Sequence, residues 1–366
     1  MPRVSPVHPK DLHGLGRLAV DGVAGITDLV EHLHLSIAGT VLGPAAGRDG
    51  RTAGLTGFTY RAVRGITGLV GAGLDRVLGG IAGSSSSPAS SSSRDRALAI
   101  LNGILGDHLH ATSNPLAIPM RLSRAPDRGS RRLAVFVHGL CLADDCWQGA
   151  ESLPSRMAEH GFASVQVRYN TGRGIADNGA ELAERLEALV GDSPHPVDEL
   201  ILVGHSMGGL VARSAVASAG DRGLKWKTRL SRMVFLGTPH FGAPLERAGH
   251  GVDRLLGLSR FSAPFARLGR IRSAGITDLR HGSVAGLATG LRCLAIAASR
   301  SARTPAVLGD GLVPVASALG VHADPDRHLG IPAEDRIVVP GTGHLDLLCS
   351  RRAHDHVIDW LEPRLS

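Results

Sequence analysis

With 366 residues, 43% of them apolar, the chain has ample material for a large buried core and is not a disordered sequence. Its net charge of +7 is nearly all arginine, since lysine occurs only at Lys10, Lys225 and Lys227; with acidic residues interspersed and 3% aromatic content, a basic surface with stacking aromatics for nucleic acid is excluded. Residues 1–15 carry prolines, histidines and charges where a secretory signal needs an apolar run, and no stretch approaches the roughly 20 apolar residues that span a bilayer, so the expected location is cytoplasmic or peripheral to a membrane.

The N-terminal region, residues 1–83, has two helical patterns. Apolar residues recur every three or four positions from Leu12 to Ile37 and again from Leu55 to Leu78. Gly-Ile-Thr-x-Leu-Val appears at 25–30 and at 65–70, which predicts a duplicated helix packed as a hairpin. Glycine inside a helix costs about 1 kcal/mol against alanine, so Gly22, Gly25, Gly65, Gly68, Gly71 and Gly73 call for close helix contact. Such a hairpin serves as an appendage or as a membrane or partner surface. A serine-rich tract at 84–93 reads as a flexible linker.

From Arg94 onward an α/β domain is predicted. A helix at 94–110 and an entry strand at 115–122 precede strand candidates at 133–137, 164–167, 200–203, 233–236, 291–296 and 337–339, separated by helical or loop segments. That alternation predicts a mostly parallel central sheet flanked by helices. Asn178-x-x-Glu181 reads as a helix-start capping box. Residues 241–290, with Leu255, Leu256, Phe261 and Phe265 among arginines, read as a helical cap or lid over a site. Cys141, Cys146, Cys293 and Cys349 lack zinc-like spacing and read as structural thiols; a Cys141–Cys146 pairing is the weaker alternative.

Chemistry concentrates at Gly204-His205-Ser206-Met207-Gly208-Gly209, between an apolar run and a helical pattern. A strand turning directly into a helix needs small neighbours, lifts the serine hydroxyl above the sheet edge and sets the Met207 N–H at a helix start, where it can face an oxyanion. His138-Gly139-Leu140 ends the strand at 133–137, and its loop offers the Leu140 N–H as the second oxyanion donor. Asp310, in Gly309-Asp310-Gly311, is the candidate acid, with Asp278, Asp324 and Asp326 as rivals. His344, in Gly341-Thr342-Gly343-His344, is the candidate base, with His322 and His328 as rivals. Among 18 histidines, the order serine, acid, histidine carries the weight.

These residues, with Tyr169-Asn170-Thr171-Gly172 and Gly237-Thr238-Pro239-His240-Phe241-Gly242-Ala243-Pro244, resemble the α/β-hydrolase superfamily, in particular its bacterial lipase and GPI-inositol-deacylase-like serine esterase branch, over residues 132–366. The resemblance implies an α/β-hydrolase fold, an acyl-enzyme formed on Ser206 with Asp310 and His344, and no organic cofactor. The expected activity is hydrolysis of acyl or lipid esters. Acyl transfer, thioester or amide cleavage would use the same residues, and a non-catalytic membrane or partner adaptor is the rival of another class. The expected partners are an ester substrate and a membrane surface met through the N-terminal helices or the lid. Asp346 reads as a surface or capping carboxylate rather than a calcium ligand, since calcium takes six or more oxygens.

Overall fold

Two side-chain layers, alternating along each strand, set the architecture around the site. The computed structural model describes residues 9–42, 47–48, 51–52, 54–83, 92–124, 129–242, 273–281, 286–287, 290–301 and 309–362. The chain divides into two units, Met1–Ser90 with Ala111–Ala117, and Ser91–His110 with Ile118–Ser366.

The first unit is built on α1 (Pro9–Leu42) and α2 (Gly54–Gly83), joined through a short antiparallel ribbon of Gly47–Arg48 with Arg51–Thr52. The helices run antiparallel: Gly16 faces Leu78, Val20 faces Gly71, and Arg64 donates to both Asp28 and Glu31. Close helix contact accounts for Gly71, where an added Cβ would strike Val20. It does not account for Gly22, Gly25, Gly65, Gly68 or Gly73, which border open space. Residues 111–117 lie along α1, where Arg17 donates to the carbonyls of Thr112 and Ser113 and Asn114 donates to that of Gly14.

In the second unit, α3 (Ser92–Ala111) starts inside the tract expected to be linker, whose residues 84–91 lie outside the described residues. Seven strands follow: β1 (Arg121–Arg124), β2 (Arg132–Val137), β3 (Phe162–Arg168), β4 (Glu199–His205), β5 (Leu230–Leu236), β6 (Arg292–Ser299) and β7 (Arg336–Pro340). Their order is β1-β3-β2-β4-β5-β6-β7, parallel throughout except for β1. Among the described residues, the helices after α3 that exceed one turn are α4 (Leu153–Glu159), α5 (Ile175–Gly191), α6 (Met207–Asp221), α7 (Ala274–His281) and α8 (Arg351–Leu361), with a single helical turn at Val315–Ala318.

Period-two alternation sends Leu133, Val135 and Val137 of β2 and Leu200 and Leu202 of β4 toward α5 and α6, where Leu182, Leu186, Leu210 and Val211 meet them. Ala134, Phe136, Ile201 and Val203 point to the other face, against Leu153 and Met157 of α4 and Val357 and Trp360 of α8. Strands buried on both faces read as continuous apolar runs, as these do.

Two expectations are corrected. The entry strand begins at Arg121 and not at 115, because Asn114 Oδ1 accepts the Leu116 N–H and Asn102 Oδ1 that of Ile118, so side chains take the donors a strand would have used. The capping box is absent: α5 starts four residues earlier, where Asp278 Oδ2 on α7 accepts the Ile175 N–H at 2.8 Å, while Glu181 pairs with Arg173. Of the segment read as a lid, residues 243–272 lie outside the described residues, and α7 is its described helix. All four cysteines are free thiols, with burial pushing Cys141 and Cys293 up to about 12.

Candidate active site

Ser206 sits between the end of β4 and the start of α6 with φ +53° and ψ −126°, a left-handed conformation that costs a non-glycine residue on the order of 1–3 kcal/mol. The surroundings hold it there. A Cβ at Gly204 would strike the Gly209 backbone, and one at Gly208 the carbonyls of Val137 and His138, so the strand, the turn and the end of β2 approach as closely as backbone allows. The Ser206 N–H donates to the Leu236 carbonyl at 2.9 Å, tying the turn to the end of β5. Ser206 itself is partly exposed, while Met207 and His205 are fully buried. Met207 is the first residue of α6, so its N–H has no intrahelical acceptor.

The loop after β2 runs directly against this turn. A Cβ at Gly139 would come within 2.9 Å of Ser206 Cβ and 3.2 Å of His205 Nδ1, so only glycine fits between Leu140 and the serine. The Tyr169 hydroxyl donates to the His138 carbonyl at 2.7 Å and its ring packs on the His138 imidazole. Thr171 Oγ1 accepts the Cys141 N–H. His138 is buried and neutral, its pKa pushed down to about 4 by burial. The loop carrying Leu140 is thus held from both ends.

Asp310 and His344 meet as an almost fully buried pair, His344 Nδ1 standing 2.6 Å from Asp310 Oδ2. The other carboxylate oxygen accepts the N–H groups of Leu312 at 2.8 Å and Val313 at 2.7 Å. Burial by itself would raise the Asp310 carboxyl, but the adjacent His344 ring and these hydrogen bonds outweigh it and hold the group below its ordinary range. An ionised Asp310 fixes the proton on Nδ1 and leaves Nε2 as the basic nitrogen. The His344 ring also lies against Gly237, the residue after Leu236, so the end of β5 borders both the serine turn and the imidazole.

None of the rivals occupies this position. Asp278 caps α5, Asp324 accepts the N–H of Asp326 in an exposed turn, and His322 accepts the N–H of Asp324. Asp346 Oδ2 accepts the Gly343 N–H at 2.9 Å and steadies the histidine turn. Among the described residues, no group of three or more His, Cys, Asp or Glu side chains is placed to hold a metal ion.

Several supporting residues were not singled out from sequence. His205 Nε2 contacts the His344 carbonyl at 3.1 Å, so the residue before the serine steadies the backbone of the histidine; burial pushes its pKa down to about 3, which makes the neutral ring the donor. Arg213 Nη1 donates to His240 Nδ1 at 3.0 Å, bracing α6 against the loop after β5. Arg300 Nε donates to the Asp310 carbonyl. The only sequence signal for His205 is its place at the strand end, and the other two pairs join residues 27 and 10 positions apart with no motif linking them.

A family model described as PGAP1-like alpha/beta domain matches residues 180–292, roughly a third of the chain, including the serine turn. No curated protein is matched by the sequence. Among solved structures, the chain is similar to the Bacillus licheniformis lipase BlEst2 in propeptide form (17% identity, 66% of this chain and 53% of that one, TM-score 0.46). It is also similar to the Pyrococcus furiosus esterase Pf2001 (12%, 67% and 87%, 0.44) and to YbtT, a type II thioesterase from the yersiniabactin pathway (16%, 66% and 96%, 0.43). The match spans about half the length of the propeptide-form lipase. A mostly parallel seven-stranded sheet with helices on both faces, a strained serine between its central strand and the next helix, and a family-model match across that stretch give this chain the fold of the α/β-hydrolases.

Proposed function

We propose that the protein is a serine hydrolase that cleaves carboxylic esters through an acyl-enzyme. Ser206 attacks the ester carbonyl while His344 Nε2 takes its proton, and the carbonyl oxygen, now anionic, is met by the N–H groups of Met207 and Leu140. His344 then returns the proton to the departing alcohol oxygen as the C–O bond breaks. Water repeats the sequence on the acyl-serine, releasing the acid and restoring Ser206. Asp310 stays ionised throughout and stabilises the imidazolium that forms twice per turnover.

The observation that carries this reading is the buried 2.6 Å contact between His344 and an Asp310 already saturated by two backbone donors. A carboxylate held in this way has no role in surface solvation, and it commits the histidine to one tautomer. Acyl esters, with lipid esters among them, are the proposed substrates.

The test is covalent labelling by a fluorophosphonate, followed by turnover of p-nitrophenyl esters of increasing acyl length. Wild-type protein is expected to label once and to turn over esters. Ser206→Ala is expected to lose both while keeping its unfolding transition, because the partly exposed side chain loses only its hydroxyl and keeps the Cβ that packs against Gly139. Undiminished labelling of that variant would overturn the assignment.

A further inference from the structure

Among its described side chains, the hairpin of the first unit exposes an apolar surface along one side. On α1 the exposed arc between Leu12 and Val23 holds Leu12, Leu15, Ala19, Gly22 and Val23. On α2 the exposed arc between Val63 and Val77 holds Ile66, Leu69, Val70, Gly73 and Leu74 as well. At 100° per residue each arc lies about a quarter to a third of a turn from the seam marked by Val20, Gly71 and Leu78. Because the helices are antiparallel, the offsets carry both arcs to the same side of the hairpin. Lys10, Arg17, Asp21 and Arg61 take the other side, along which residues 111–117 bond to α1, and Arg76, seven residues after Leu69, stands at the rim of the apolar face.

We propose that this face is a self-association surface, on which the same face of a second copy packs to complete a four-helix arrangement. Three observations select a second copy. Ile66, Leu69, Val70 and Val77 are 54–76% exposed. With the other exposed apolar side chains of the face they present on the order of 800 Å², the share a standard interface takes from each partner. The two helices carry five basic and five acidic residues, so no charge excess draws the hairpin to an anionic bilayer. Gly22 and Gly73 lie within the face with nothing within 4 Å. In a helix each is a cost that a facing helix recovers by close approach, whereas fluid acyl chains gain little from it. A hairpin with one seam buries one side of each helix, and a two-fold pairing of identical apolar faces is the closed, self-complementary way to bury the other.

Sedimentation velocity on the full chain over a wide concentration range tests this, with Ile66→Glu/Val70→Glu as the perturbing variant and flotation with phosphatidylcholine/phosphatidylglycerol vesicles as the competing assay. Wild type is expected to sediment as a dimer. The variant is expected to weaken dimerisation by more than about a hundredfold at unchanged helix content and unchanged short-ester turnover, because it buries two uncompensated carboxylates. A wild type that stays monomeric overturns the proposal, whether it floats with vesicles or has the face covered by another part of its own chain. A dimer that survives both this variant and a folded Leu12→Glu/Leu15→Glu overturns the choice of face. If both variants lose helix content, hydrogen exchange on wild type decides. Protection of amides 62–78 that rises with concentration supports the interface, and concentration-independent protection overturns it.

Discussion

At the scale of single residues, Asp310 and Asp278 separate the proposed chemistry from architecture. Asp310→Asn keeps one oxygen for the Leu312 and Val313 donors but turns an NH₂ toward His344 Nδ1, favouring the tautomer with its proton on Nε2. We expect kcat to fall by about 10⁴ with little change in KM, while Tm moves modestly. Asp278→Asn removes an ionised acceptor from the start of α5 and is expected to cost about 1 kcal/mol in urea unfolding with turnover intact. The reverse pattern in the two kinetic measurements would transfer the acid to α7. Ser206, Asp310 and His344 could be proposed from sequence because each sits in a short glycine-bearing turn that follows a strand in the chain, and glycine there reports a backbone demand that sequence displays directly. Tyr169, His205 and Arg213 were not read as supports because their partners are a backbone carbonyl or a ring 27 to 139 positions away, a pairing that exists only once the sheet order is known.

At the scale of elements, strands were easier to read than starts. Six parallel strands announce themselves as apolar runs because both faces of the sheet are covered. The start of α5 was misplaced because its cap arrives from α7, and the entry strand because side chains of Asn102 and Asn114 intercept its amides. The elbow is the element with least freedom. Gly208→Ala drives a methyl into the carbonyl oxygens at the end of β2, and we expect a loss above about 3 kcal/mol, read as a fall in Tm or as insoluble protein. Gly191→Ala, at the exposed end of α5 with nothing within 4 Å, is the matched control and should leave Tm unchanged or slightly raised. Equal tolerance of the two changes would mean that the β4–α6 junction is looser than the backbone contacts around it require.

For the whole molecule, buried histidines set the acid limit. His138 and His205 are held near about 4 and about 3 by burial, against 6.5 in an unfolded chain. Below pH 6.5 the unfolded state therefore binds protons that the folded state refuses, and stability falls as pH falls toward the folded values. At about pH 5 the loss is roughly 2 kcal/mol for each ring. Asp310 acts in a lower window: its depressed pKa contributes stability above 3.8 that is lost as pH drops through the folded value. Urea midpoints are expected to decline from pH 7 to pH 5, before most carboxylates titrate, and a flat midpoint over that interval would contradict the neutral state of both rings.

The strand order also distributes the proposed machinery unequally. Ser206 leaves β4, the middle strand of seven, whereas His344 follows β7 at the sheet edge and Asp310 lies beyond β6 beside it. Edge strands open by small excursions that the centre does not share. Mild urea should therefore abolish ester turnover while the serine turn is still intact, so that inactivation runs ahead of the loss of tertiary signal. In this molecule the nucleophile is the part that outlasts the activity.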